Sequence, residues 1–321
     1  MSSINLSSLV DYVNQLNPEI QKEAVLKGRF VDQISQMPGI KNAEVINAIR
    51  SSLVLTAPTC GTVLSPTGSV TPFQNTLTVC ELQSAEVLCV KDFESKYYGM
   101  YAKLGSYNED VTEAFAKVYV ADKMDKIQGQ IEDTLICGSS TGTFSTSAST
   151  LCNGLLHTLT LTSASASVVP GGLTLSYTIA NAVAIVDQLV DKVPTSIWNE
   201  PDLTLFMSYP DFRTYVRALR NENWFHFNAL ESEGGMVYEA LHPGTNVKIS
   251  ATRGLNAVTN GKHYFILTNA SNLFYGFDDS ADYMKFQYFY SELTDAVNFR
   301  SKFKIGISAA YFDQIVLGVS N

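Results

Sequence analysis

Residues Asn108–Gly138, NEDVTEAFAKVYVADKMDKIQGQIEDTLICG, hold the clearest single element of the chain. Asn108 precedes Glu109 and Asp110, which suit the positive end of a helix dipole. Phe115, Val118, Met124, Ile127, Ile131 and Leu135 follow at steps of three and four and so share one face. Glu113, Lys117, Lys123, Lys126 and Glu132 are expected on the opposite, wet face. Gly138 ends the helix. From Val111 to Cys137 such a helix spans about 40 Å, at roughly 1.5 Å per residue.

Upstream, the chain reads differently. Its first forty residues suggest an outlying helical arm. Ser7 caps a short helix with Leu9, Val10 and Val13, and Asn17-Pro18 restarts it through Ile20 to Ile34. Met37-Pro38-Gly39 stops it. Strand character runs from Val45 to Asp92, and Ser51–Cys80 has no Asp, Glu, Lys or Arg. Two β-prone arms, LVLTA and NTLTVCEL, flank a middle punctuated by Pro58, Gly61, Pro66, Gly68 and Pro72. That pattern predicts an extended hairpin. An uncharged projection of this kind invites aggregation unless another subunit covers it. Val54 and Leu77 within it, and Arg50 and Glu81 flanking its uncharged part, are therefore candidate subunit-interface residues.

Downstream, Thr134–Val186 is again uncharged, rich in Ser, Thr, Gly and Ala, with LLHTLTL and LTLSY as β-prone patches. Turns and short strands are expected there. Thr178–Val193 predicts an amphipathic helix burying Ile179, Val183, Val186, Val190 and Val193 and ending at Pro194. LTLFMS (Leu203–Ser208) reads as a buried strand. Ser208 caps the next helix, with Pro210 in its first turn and Phe212, Val216 and Leu219 inward. Arg213, Arg217 and Arg220 fall on the outer face of that helix. They form either an ordinary wet face or a basic strip for an acidic patch on the next subunit, for which Arg is the better-suited cation. The last third is strand-rich: HYFILTN, NLFYGF, YMKFQYFY and VNFRSKFKIGI. In the last, Val297, Phe299, Phe303, Ile305 and Ile307 alternate with Asn298, Arg300, Lys302 and Lys304.

Composition narrows the function. The chain has 321 residues, 17% charged, with a net charge of −9 and a pI near 5.0. An acidic balance disfavours a protein that grips nucleic acid through Lys and Arg, but suits a container whose lining does not adhere to it. Charge this sparse fits a surface covered by other protein. The five cysteines, Cys60, Cys80, Cys89, Cys137 and Cys152, show no paired spacing, so neither a zinc site nor a disulfide framework is read and a reducing compartment is expected. No signal peptide or membrane span is read. Motifs of hydrolases, zinc proteases and nucleotide binders are missing. His157, His226, His242 and His263 are scattered among apolar neighbours and are expected to be packing or surface residues. The acidic run Asp278–Asp282 lacks calcium-loop spacing. No catalytic residue, cofactor or metal is expected.

The order of elements resembles the major capsid proteins of tailed bacteriophages, the Hong Kong 97-type fold that encapsulins share. The resemblance rests on the whole order and on three segments: CNGLLHT after the long helix, LTLFMSYPDFRTYVRALRN, and FRSKFKIGISAAYFDQIV. It implies an α+β chain with an N-terminal arm (1–44) and an extended hairpin or E-loop (45–92). A peripheral domain (93–175) holds the spine helix 109–137, an α/β axial domain covers 176–269, and C-terminal strands (270–321) return to the periphery. It also implies a structural protein that forms hexamers and pentamers of itself in an icosahedral virion shell, assembled in the host cytoplasm around genomic DNA held without sequence-specific contacts. Scaffold, portal and auxiliary capsid proteins are further expected partners, and a membrane is not. Many members begin with a cleaved scaffolding segment; here the arm starts at once, so a separate scaffold, or none, is expected. An encapsulin-type nanocompartment and a phage tail or adhesion protein are the alternatives.

Overall fold

The structure is a computed structural model and describes residues 29–55, 68–89, 113–164, 169–171, 173, 175–222, 239–278, 287–291 and 296–321. The expected helices of the arm before Arg29, the tip around Pro58 and Pro66, His226, and Asp279–Asp282 lie outside the described residues.

Along the chain, α1 (Phe30–Gln33) and β1 (Ser35–Met37) lead into two long arms, β2 (Ala43–Ser52) and β3 (Ser69–Thr78). β4 (Cys80–Cys89) precedes the long α2 (Glu113–Cys137), then come α3 (Leu155–Ala164), β5 (Val169–Pro170) and α4 (Ala182–Asp191). β6 (Leu203–Ser208), α5 (Tyr209–Asn221), β7 (Glu239–Leu241), β8 (Lys248–Thr252) and α6 (Arg253–Asn256) follow. β9 (His263–Asn269), β10 (Leu273–Phe277), β11 (Gln287–Ser291), β12 (Ala296–Ala309) and β13 (Val316–Ser320) complete the order.

The chain divides into two compact units. In the smaller, the described residues are 81–89, 113–129, 287–291 and 296–303. There β11 pairs antiparallel with the start of β12, from Gln287↔Arg300 to Ser291↔Ala296. β4 also pairs with β12, and Arg300 donates to Gln83 at 3.3 Å. Phe299 and Phe303 are buried while Lys302 is exposed, so the strand keeps the one wet face its alternation predicts.

The larger unit is built on a six-stranded sheet in the order β5-β13-β9-β6-β8-β7. β6 lies inside it, parallel to β8 and antiparallel to β9. All six residues of LTLFMS are buried, as a strand covered on both faces requires. Leu203, Leu205 and Met207 join Ile185 and Leu189 of α4 and Phe212, Tyr215 and Leu219 of α5 in one apolar cluster. Each such side chain contributes roughly 1.5–3 kcal/mol on burial. Phe206 points the other way and meets the edge of Phe30, with ring centroids 5.1 Å apart. The end of α2 packs against α6 so closely that a Cβ on Gly254 would lie 2.6 Å from Ile136 Cδ1. Only glycine allows that approach.

Four expectations are corrected. LLHTLTL is helix, not strand: it forms α3, and Leu155, Leu156 and Leu159 bury one helical face. Its threonines, β-prone on average, turn their hydroxyls back on the helix, Thr158 to the Gly154 carbonyl at 3.1 Å and Thr160 to that of Leu156 at 2.8 Å. In α4 the buried face is Ala182, Ile185, Val186 and Leu189, while Ile179 precedes the helix and is exposed. Leu189 fixes that rotation by lying over Gly171 and Gly318, where any Cβ would come within 2.7 Å of it. Glu132, expected on the wet face of α2, is 1% exposed. Finally, Cys80 and Cys152 form a disulfide, with Cα atoms 5.7 Å apart, where scattered cysteines predicted none.

Candidate functional site

The hairpin arms β2 and β3 pair residue for residue from Ala43↔Thr78 to Ser52↔Ser69. Their root is fastened to the larger unit. Ile46 and Leu77 join Ile40, Val79 and Ala310 in a small core, and Asn75 donates to the carbonyls of Ala309 (3.2 Å) and Ala310 (2.7 Å). Midway, Arg50 lies 4.9 Å over the Phe73 ring and 2.6 Å from Asp313. Phe73 meets Tyr311 edge-on, and Tyr311 donates to the Ile49 carbonyl at 3.0 Å. Beyond that clamp, the described residues 51–55 and 68–72 are exposed on both faces. Leu53 is 79% and Leu55 89% exposed, with Val54 and Val70 also exposed.

The proposed interface residues thus separate. Val54 stands on the exposed part. Leu77 is 0% exposed, so it belongs to the chain's own core and not to a neighbour's. Arg50 is engaged with Asp313 of its own chain, and Glu81 lies 3.6 Å from Lys302.

In α5, Ser208 caps the helix: its Oγ accepts from the Asp211 N–H at 3.2 Å and donates to the Asp211 carboxylate at 2.6 Å. Phe212, Tyr215, Ala218 and Leu219 are buried, which leaves Arg213, Arg217 and Arg220 exposed together. The same unit exposes Asp187 and Asp191 on α4 and Glu200 and Asp202 after it. The larger unit therefore exposes a basic strip on α5 and a group of acidic side chains on and after α4.

Several internally paired polar side chains escaped the sequence reading. At the end of α2, Glu132 accepts the N–H of Phe30 at 3.2 Å and of Gly254 at 3.1 Å. Burial pushes its carboxyl above the ordinary value, with those N–H donors pulling the other way. Asp133, also buried, holds Arg253 through Nε and Nη2, both at 3.1 Å. The signal was the neighbourhood: Ile131 and Leu135–Cys137 are apolar, and acids buried among them need internal partners.

Two histidines are paired as well. His242 meets Asp187 through Nε2 at 2.9 Å, and His263 meets Asp211 through Nδ1 at 2.7 Å. The Ser208 hydroxyl goes to Asp211 and not to His263, so these three residues form a helix cap and not a nucleophile–base relay. The hydrogen bond to Asp211 raises the His263 pKa above its ordinary 6.5. Its stabilising effect is therefore complete below pH 6.5 and fades as pH rises through the folded-state value. Thermal melts between pH 6 and 8 should show wild type losing more stability with rising pH than His263→Gln; parallel curves would assign the bond no such role.

Among the described residues no group of acids, histidines or cysteines is placed to hold a metal, and no helix is long and apolar enough to cross a membrane. No family model matches the sequence, and no curated protein matches it. Solved structures do match. A chain of the capsid of Myoviridae phage XM1 aligns over 100% of both chains, with a TM-score of 0.59 at 9% identity. The chain has a phage-capsid fold. One from Gordonia phage Cozz aligns over 96% of this chain and 91% of its own, with a TM-score of 0.63 at 11% identity. A chain from the capsid of an empty GTA particle aligns over 94% and 99%, at 0.56 and 12%. The likeness to phage-capsid chains therefore extends over nearly the whole chain, with nearly all of the sequence replaced. What persists is the order of elements, which burial pattern and caps can encode in many sequences.

Proposed function

We propose that this chain is a structural protein that assembles with copies of itself into the icosahedral shell of a tailed phage and encloses its DNA. One observation carries this reading: the fold match extends over whole chains whose names describe capsids. In this reading β2–β3 is the E-loop and α2 the spine helix, and the layers holding α4 and α5 are the axial domain around the capsomer axis. The chain then works as a non-enzymatic component of the virion, built in the host cytoplasm, with scaffold, portal and auxiliary capsid proteins as further partners. The acidic balance of −9 suits a lining that lets DNA slide instead of holding it.

The arginine strip supports contacts between axial regions. Light scattering on the purified chain should give particles far heavier than 35.2 kDa. Arg217→Glu with Arg220→Glu should shift them toward the single chain, most at low salt, where charge pairing is least screened. Arg213 is left intact because it also interacts within its own chain. Normal particles from the double variant at low salt would reduce the strip to a wet helix face.

A further inference from the structure

Cys80 is the first residue of β4, and Cys152 lies in the segment between α2 and α3; 72 positions of chain separate them. Beside the pair opens a cavity of about 290 Å³, lined by both cysteines and by the polar side chains of Thr76, Thr134 and Thr158. Leu151 and Asn153, both exposed, also line it, so it reaches the surface. Cys80 is the more exposed of the two sulfurs' residues, and Cys152 is buried. The Ile305 carbonyl lies 3.2 Å from Cys80 Sγ and accepts from its thiol when the pair is reduced, so both redox forms leave the group satisfied. Cys137, by contrast, is fully enclosed and gives its thiol hydrogen to the Gly254 carbonyl at 2.9 Å.

We propose that Cys80 and Cys152 are an oxidative modification site: they fold as thiols and are then joined by a small disulfide, such as oxidised glutathione, entering through this cavity. The Cys80 thiolate attacks the reagent's S–S bond, forming a mixed disulfide and releasing one glutathione. The Cys152 thiolate then attacks Cys80 Sγ and expels the second glutathione. The cysteine pair gives up two protons and two electrons, and the reagent takes up both. The bond closes a loop of 72 positions, fixing the root of the hairpin to the segment behind α2, and it constrains the unfolded chain. Folding thus needs no oxidant, and a reducing compartment of synthesis is compatible with a cross-linked final form.

The test uses the full chain, purified with reductant and then exposed to oxidised glutathione. Peptide mapping without reduction should recover Cys80 linked to Cys152, and the thermal midpoint should rise by roughly 5–10 °C. Cys80→Ala with Cys152→Ala should fold, melt with the reduced chain and ignore glutathione. Cys152→Ala alone should trap glutathione on Cys80, and faster than Cys80→Ala traps it on Cys152. The proposal fails if both thiols stay alkylatable in the folded chain, if another pair links, if linkage leaves the midpoint unchanged, or if Cys152 is the faster site. These readouts follow the chain itself and do not depend on whether shells form.

Discussion

Leu53→Asp combined with Leu55→Asp is expected to leave a folded chain that no longer closes particles. Both leucines stand beyond the Arg50–Phe73 clamp, at 79% and 89% exposure, so the single chain loses no core contact. Surface changes of this sort move stability by about 0.5 kcal/mol or less. In the proposed shell the same side chains would meet a neighbour, where burying a leucine contributes roughly 1.5–3 kcal/mol. A carboxylate in that place stays unpaired and dehydrated. Leu77→Ala is the contrasting control: with Leu77 in the core beside Ile40 and Val79, about 2–5 kcal/mol of chain stability should go. Denaturant unfolding and particle sizing on both variants separate the two roles. Particles of normal size and yield from the double Asp variant would show that the hairpin is no inter-subunit clamp.

Arg253→Ala should cost about 3–5 kcal/mol, because it strands Asp133, a buried acid, without its partner. The guanidinium meets that carboxylate through two parallel bonds of 3.1 Å, a geometry lysine cannot copy, so Arg253→Lys should fall between Ala and wild type. Burial already holds the Asp133 pKa above its ordinary value, and removing the cation raises it further. Urea unfolding checks the size of the loss. A change below about 1 kcal/mol would mean that water reaches Asp133 and that the junction of α2 with α6 is softer than its packing shows.

Much of this arrangement could be read where the determinants are local. Ser208, Pro210 and the apolar period after them specify α5 and its outward arginines, because a cap and a buried stripe act within a few residues of themselves. LTLFMS announces a strand buried on both faces for the same reason. Other features depend on partners far away in the chain. The rotation of α4 is set by Gly171 and Gly318, which give Leu189 its room, whereas periodicity alone turned Ile179, Val183 and Val190 inward. α3 was hidden because threonine's average β preference says nothing of a hydroxyl bonded to the carbonyl four residues back. Glu132 was placed outside by helical spacing, although its anchors, Phe30 and Gly254, lie 102 and 122 positions away. For Cys80 and Cys152 no spacing rule reaches across 72 positions.

Electron microscopy of the purified full chain tests the central claim most directly. A shell-forming protein gives closed icosahedral particles, or rings of five and six copies that close when scaffold is supplied. Uniform single chains of 35.2 kDa at micromolar concentration, with and without scaffold, would contradict it.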